Sequence, residues 1–295
     1  MRERRVEFKR MVLGLPQSPR DYPAVAATAQ LAGLLRLDLL ATFVEDATLI
    51  DVAGLPCVRE LRALEGGWRP MDISQLAREL EHAAATARRL FAEAMRTCSI
   101  EAEFSFVRGS AAEVIPSLAM PDDIIVIIEP GNPAERVTQQ FTRLVDAAFR
   151  AAAAVMIVPS AVTRTKGPIV VIASGPDDPS IFAGLGIAAA ANERLIVIPL
   201  SNDADSFVAL AGRASAVGVR FEVVSVTQRR PTASGLAMSF SHLSERLMVI
   251  SRGSLDEAFP TEIASLRGIP VLVTEPDVEK VAAPCHYGGR EALTP

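Results

Sequence analysis

The sequence predicts an α/β protein made of two tandem five-stranded, mostly parallel sheets with helices on both faces. Three observations carry that expectation. Short apolar runs of strand length alternate with stretches of helical apolar spacing. The same strand–helix order occurs twice along the 295 residues. The composition is 49% hydrophobic but only 5% aromatic, so Ala, Val, Ile and Leu must fill the interior. That palette suits helices laid on strands buried on both faces.

The first half opens with MVLGL (11–15), a buried strand stopped by the turn PQSPRD. Residues 23–35 carry helical spacing, and DLLATFV (38–44) is the second strand. A long amphipathic helix covers 73–96. FSFV (104–107) is the third strand, followed by a short helix at 111–118. IIVII (124–128) is the fourth, a helix covers 136–152, and VMIV (155–158) is the fifth.

The second half repeats the scheme. Its strands are IVVIA (169–173), LIVIP (195–199), FEVVSV (221–226), LMVIS (247–251) and VLVT (271–274). Its helices are expected at 180–191, 206–216, 234–243 and 255–266. Parallel neighbours need crossovers, so each half must wind helices over its sheet. The polar stretch SAVTRTKGP (160–168) is the natural linker. The expected division is 1–163 for the first domain, 164–276 for a shorter second domain, and a tail at 277–295.

The halves differ most after their second strands. The first half inserts about 46–72, with Trp68, the sole tryptophan. An insertion at the carboxyl end of a strand stands where open α/β sheets place their sites. It is either a lid or a cover over the sheet and a partner surface. Its many apolar residues predict an ordered segment lying over the first sheet, with Trp68 protected.

Charge and cysteines exclude several classes. The net charge of −5 gives no electrostatic footprint for nucleic acid. Cys57, Cys98 and Cys285 have no metal-like spacing, and their odd number argues for a reducing compartment. No apolar run reaches the ~20 residues that span a bilayer, and no secretory signal is visible. The expected setting is the cytoplasm, with no membrane partner and no metal. His82 and His242 read as solvated or helix-end residues, and no residue set for an enzyme stands out.

Several segments resemble tandem universal stress proteins: VAATAQLAGLLRLDLLATFVED (25–46), FVRGSAAEVI (106–115), DDIIVIIE (122–129) and AAAAVMIVP (151–159). VED…AGLP…RE (44–60) further resembles a divergent branch with the same insertion. The resemblance implies a strand order 3-2-1-4-5 in each half and pairing through the fifth strands, as an internal pseudo-dimer with a homodimer possible. It also implies an ATP site built from an acidic residue after the first strand and a glycine-rich loop after the fourth. Glycines there let backbone amides approach phosphate oxygens.

This sequence departs from that pattern. Gly131 fits the first loop glycine, but Ala134, preceded by Pro133, takes the second place, and Phe141 the last. Thr142 fits the hydroxyl member. Gln17 and Ser18 stand where the acidic residue is expected. In the second half SRGS (251–254) opens such a loop, but Pro270 follows too soon for its remainder, and SGPDD (174–178) keeps acidic residues alone. The expectation is a universal-stress-like protein without bound cofactor, ATP being disfavoured. Its role would be non-catalytic, in stress response or regulation, through a protein partner or a small ligand. The alternative is an adenine-nucleotide binder or slow ATPase with an altered loop. Candidate ligand residues are Gln17, Ser18, Arg59, Arg108, Gly109, Gly131, Asn132 and Thr142. Arg59, Arg69 and Arg108 could form an anion pocket; the competing reading ties Glu45, Asp46, Arg59, Glu60 and Arg69 into ion pairs that pin the insertion.

Overall fold

In the computed structural model, residues 8–16, 21–62, 67–96, 98–200, 205–225 and 231–275 are described. The first half runs β1 (Arg10–Gly14), α1 (Tyr22–Leu35), β2 (Asp38–Glu45), α2 (Ala47–Ala53), β3 (Arg59–Arg62), β4 (Gly67–Pro70), α3 (Ile73–Met95), β5 (Ala102–Arg108), α4 (Ala111–Leu118), β6 (Ile124–Ile128), α5 (Pro133–Arg136), α6 (Gln139–Ala151) and β7 (Ala154–Val158). The second runs β8 (Ile169–Ala173), α7 (Pro179–Ala191), β9 (Leu195–Pro199), α8 (Val208–Ala216), β10 (Phe221–Val223), α9 (Ala233–Ser239), β11 (Leu247–Ser251), α10 (Phe259–Arg267) and β12 (Val271–Thr274). The expected helix at 136–152 starts later, at Gln139 of α6, because Thr138 caps it with its side chain, and a separate single turn, α5, precedes it.

Each half has the strand order 3-2-1-4-5 with parallel neighbours. The two halves form one ten-stranded sheet, β10-β9-β8-β11-β12-β7-β6-β1-β2-β5. They join where β12 runs antiparallel to β7, with Leu272 opposite Met156 and Val273 opposite Val155. Two separate sheets would each leave an apolar edge with unpaired amides; joining them removes both edges. All five residues of β7 and all four of β12 are buried.

Strand alternation divides the interior into two layers. One layer holds Met11 and Leu13 of β1 together with Val25, Phe91, Ile181 and Leu210 from α1, α3, α7 and α8. The other holds Val12 together with Ile115, Ala148, Phe240 and Ile263 from α4, α6, α9 and α10. Both layers run through the junction, so the halves share their core. The small residues of α1 and α7 let these helices lie close to the sheet and to each other.

The described residues of the 46–72 insertion form α2 and a short hairpin ribbon, and Leu49 of α2 reaches the cleft at the carboxyl ends of the strands. α2 lies against α3, and β3 pairs antiparallel with β4 as a separate two-stranded ribbon. Trp68 is 65% exposed, and Leu61 and Leu55 are also exposed. The expectation of a protected tryptophan is corrected: a hairpin of two four-residue strands has too little area to bury both of its faces, and Leu61 and Trp68 point outward.

Candidate functional site

β1 lies between β2 and β6, and the chain leaves these strands toward opposite faces of the sheet. A cleft opens at such a reversal, beyond the carboxyl ends of the strands. Here it measures about 480 Å³. Val44, Ile115, Ile127, Phe141 and Leu144 form its apolar lining, and Asp21, Asp46, Glu135, Thr138 and Gln140 supply the polar side chains. No arginine, lysine or histidine lines it among the described residues.

The loop after β6 forms one wall. Asn132 caps α5 by accepting from the Ala134 amide at 3.1 Å. Thr138 caps α6 by accepting from the Phe141 amide at 3.3 Å. The Thr142 hydroxyl donates to the Thr138 carbonyl at 3.2 Å, so it is engaged within its own helix. Gly131 has a local reason to be glycine: a Cβ there would stand 3.2 Å from Ser160 Oγ and 3.3 Å from Asp21 Oδ1.

Behind this wall Glu129 is buried, and Arg136 lies 3.4 Å from its carboxylate. Arg136 also donates to the Pro130 carbonyl at 3.0 Å and to Ser265 Oγ. Burial pushes the Glu129 carboxyl above the usual range, against the pull of Ser265 and Arg136.

Two of the three arginines that could have formed an anion pocket are paired with carboxylates. Arg108 pairs with the buried Glu45, and Arg69 with Glu60 at 2.6 Å. Arg59 is exposed on β3 opposite Pro70. Gly109 makes the β5–α4 turn at φ 151°, where a Cβ would also press Val114 Cγ2 at 3.0 Å. Gln17 and Ser18 lie outside the described residues. None of Arg59, Arg108, Gly109, Gly131, Asn132 and Thr142 lines the cleft. Gly131 and Asn132 belong to the loop beside it, and Thr142 to α6.

The corresponding position of the second half is closed by its own side chains. Asp178, at the start of α7, is buried and accepts five hydrogen bonds. They come from the Ser174 amide and hydroxyl (both 2.8 Å), the Ser180 amide (3.0 Å) and hydroxyl (2.6 Å), and the Ser251 hydroxyl. Burial alone would raise its pKa, but the hydrogen bonds from Ser180, Ser251 and Ser174 outweigh it and hold the carboxyl below the usual range. The signal was in the sequence: Asp178-Pro179 is a cap followed by a first-turn proline. Arg252 of the SRGS stretch reaches across to the Phe149 carbonyl at 2.8 Å and to Glu275 at 2.5 Å.

The cleft side chains missed by sequence reasoning, chiefly Asp21 at the cap of α1 and Glu135 in α5, come from separate segments with no shared spacing. His82 and His242 are exposed, as is Cys57, while Cys98 donates to the Ala29 carbonyl. Among the described residues no helix is long and apolar enough to cross a membrane.

No protein-family model matches the chain, and no curated protein sequence matches it. Solved structures do. A universal stress protein from Archaeoglobus fulgidus DSM 4304 is 13% identical, with a TM-score of 0.59, over 92% of this chain and 98% of that one. The cytoplasmic domain of a prokaryotic cation chloride cotransporter is 10% identical at a TM-score of 0.48, over 90% and 95%. A universal stress protein in complex with cAMP is 16% identical at 0.31, over 52% and 98%. The first of these shows the fold: this chain has a universal-stress-protein-like architecture.

Proposed function

We propose that this chain is a tandem universal-stress-like protein that works without ATP, as a non-catalytic stress-response or regulatory protein acting through a small ligand or a protein partner. In this reading residues 1–163, carrying the insertion at 46–72, and residues 164–276 are two diverged copies of one domain. The cytoplasm is the proposed setting, and a homodimer through other surfaces is compatible with the internal pairing.

One observation carries the proposal. The loop that would cradle phosphates uses its helix starts internally: the Ala134 and Phe141 amides are taken by Asn132 and Thr138. Pro133 has no amide to give, and Phe141 extends side-chain bulk into the cleft lining. In the second half, Asp178 and its serines fill the equivalent position.

The second reading, an adenine-nucleotide binder or slow ATPase, is favoured by the persistence of a cleft of about 480 Å³ at the switch point of the first half. Calorimetric titration with magnesium and ATP separates the two. The expected result is no heat of binding at micromolar protein. Micromolar affinity, or slow release of phosphate, would put the second reading first.

A further inference from the structure

We infer that the outer edge of β5 takes an extended strand of a partner protein, one that presents an apolar residue followed at alternate positions by acidic residues. This rests on the reading that the chain works through a partner, and it adds where the partner docks and what chemistry it brings. β5 is the last strand of the sheet on the side of the first half. The Leu39 amide donates to the Glu101 carbonyl, and the Gly109 amide to the Glu45 carbonyl, both at 3.0 Å. Alternate residues of a strand turn their backbone groups to opposite edges, and the register with β2 is unbroken from Ala102 to Arg108. The amides and carbonyls of Ala102, Phe104, Phe106 and Arg108 therefore point outward, and among the described residues none of them has a partner. Such a row is a template for a further strand. β5 is seven residues long and holds no proline, lysine or bulge that would close its edge. Phe106 is 47% exposed on it.

The side chains beside the edge decide what the added strand carries. Phe104 lies 6.3 Å from Phe91 of α3, ring to ring, and Phe106 stacks on Phe43 at 6.0 Å. An open groove runs between α3 and the edge. Phe91, Met95, Ala102 and Phe104 form its apolar floor, and its charged residues are Arg88 and Arg96. Among the described residues no carboxylate lines it, and neither arginine has an ion-pair partner. The Arg88 guanidinium lies over the Phe104 ring, 5.8 Å from its centre, so its charge stays beside the edge. An acidic strand complements that charge. A second copy of this chain does not: pairing β5 with β5 would bring both copies' Arg88 to one seam, where like charges repel. Antiparallel pairing, the commoner and slightly stronger mode, sets the order of residues. An apolar side chain packs opposite Phe106, and acidic residues at the next two alternate positions stand opposite Phe104 and Ala102, beside Arg88 and Arg96.

The probe is the peptide fluorescein-Thr-Thr-Val-Thr-Glu-Thr-Glu-amide, titrated with the full chain and followed by anisotropy. Its neutral counterpart, with Gln in both Glu places, is expected to bind about fivefold more weakly, the loss of two half-exposed charge pairs. Both arginines are exposed, so the double variant Arg88→Gln with Arg96→Gln should stay folded. It should bring the acidic peptide down to the affinity of the neutral one and leave the neutral one unchanged. N-methylation of the Val and of the first Glu, whose amides would face β5, should abolish binding; attraction to the arginines alone would survive it. Equal affinity of the acidic and neutral peptides, retained binding of the N-methylated one, or no binding at millimolar concentration would overturn the inference. So would a dimer of the full chain that Phe106→Lys dissociates, since a second copy would then hold the edge. Calorimetry with ATP tests the earlier reading independently: a chain that binds neither ATP nor the peptide keeps that reading and loses this one.

Discussion

Ser265 Oγ donates to Glu129 Oε2 at 2.8 Å, joining α10 of the second half to the carboxyl end of β6 in the first. Arg136 closes the triangle. The loop beside the cleft is therefore anchored by a residue more than a hundred positions away.

Glu129 should leave a mark on the pH dependence of stability. Burial raises its folded-state pKa above its ordinary value. The fold thus favours the protonated form: its stabilising contribution is complete below about pH 4 and is lost as pH rises through the raised value. Glu129→Gln cannot titrate there. Urea unfolding between about pH 4 and 7 should show the variant gaining on the wild type as pH rises. Parallel curves would mean that Glu129 keeps an ordinary pKa.

Asp178 predicts the opposite sign. Its folded-state pKa is lowered, so its contribution is present above the ordinary aspartate value and lost as pH falls through the lowered one. Asp178→Asn places an amide donor against the Ser174 amide and should cost about 3 kcal/mol at neutral pH. In acid, where the wild type also loses its carboxylate, the deficit should shrink. A variant as stable as the wild type at pH 7 would show that the network is replaceable.

Arg267 holds the buried Glu245 through two hydrogen bonds of 2.6 and 2.7 Å, and it also caps the end of α9 at the Ala237, Phe240 and Leu243 carbonyls. Arg267→Ala leaves the buried Glu245 with only Arg164, 3.7 Å away, and should cost about 3 kcal/mol. Urea unfolding of the variant against the wild type measures the cost; equal stability would show that Arg164 alone satisfies Glu245.

Residues 1–160 expressed alone would present β7 as a free edge, with all five of its residues apolar and otherwise buried. Light scattering at micromolar concentration should find a dimer or larger species. A soluble monomer would mean that β12 is not required to cover that edge.

Trp68 is the sole tryptophan and is 65% exposed on the hairpin. Its emission should resemble that of free indole and be quenched readily by iodide or acrylamide. Blue-shifted, protected emission in the full chain would mean that something covers the β3–β4 ribbon in solution.

What the sequence determined by itself is the local layer of the structure. Runs such as IIVII and IVVIA must be strands buried on both faces, and the repeated strand–helix order must wind parallel units, because backbone pairing and side-chain period act over a few residues. Only tertiary structure decided that β7 and β12 make one sheet of two halves, since edge satisfaction depends on which edges meet. It alone turned the apolar insertion outward, because a short hairpin cannot cover itself. It alone drew Asp21, Asp46 and Glu135 to one cleft while tying Arg108 to Glu45. Electrostatics acts through space, and no spacing along the chain records which charges end as neighbours.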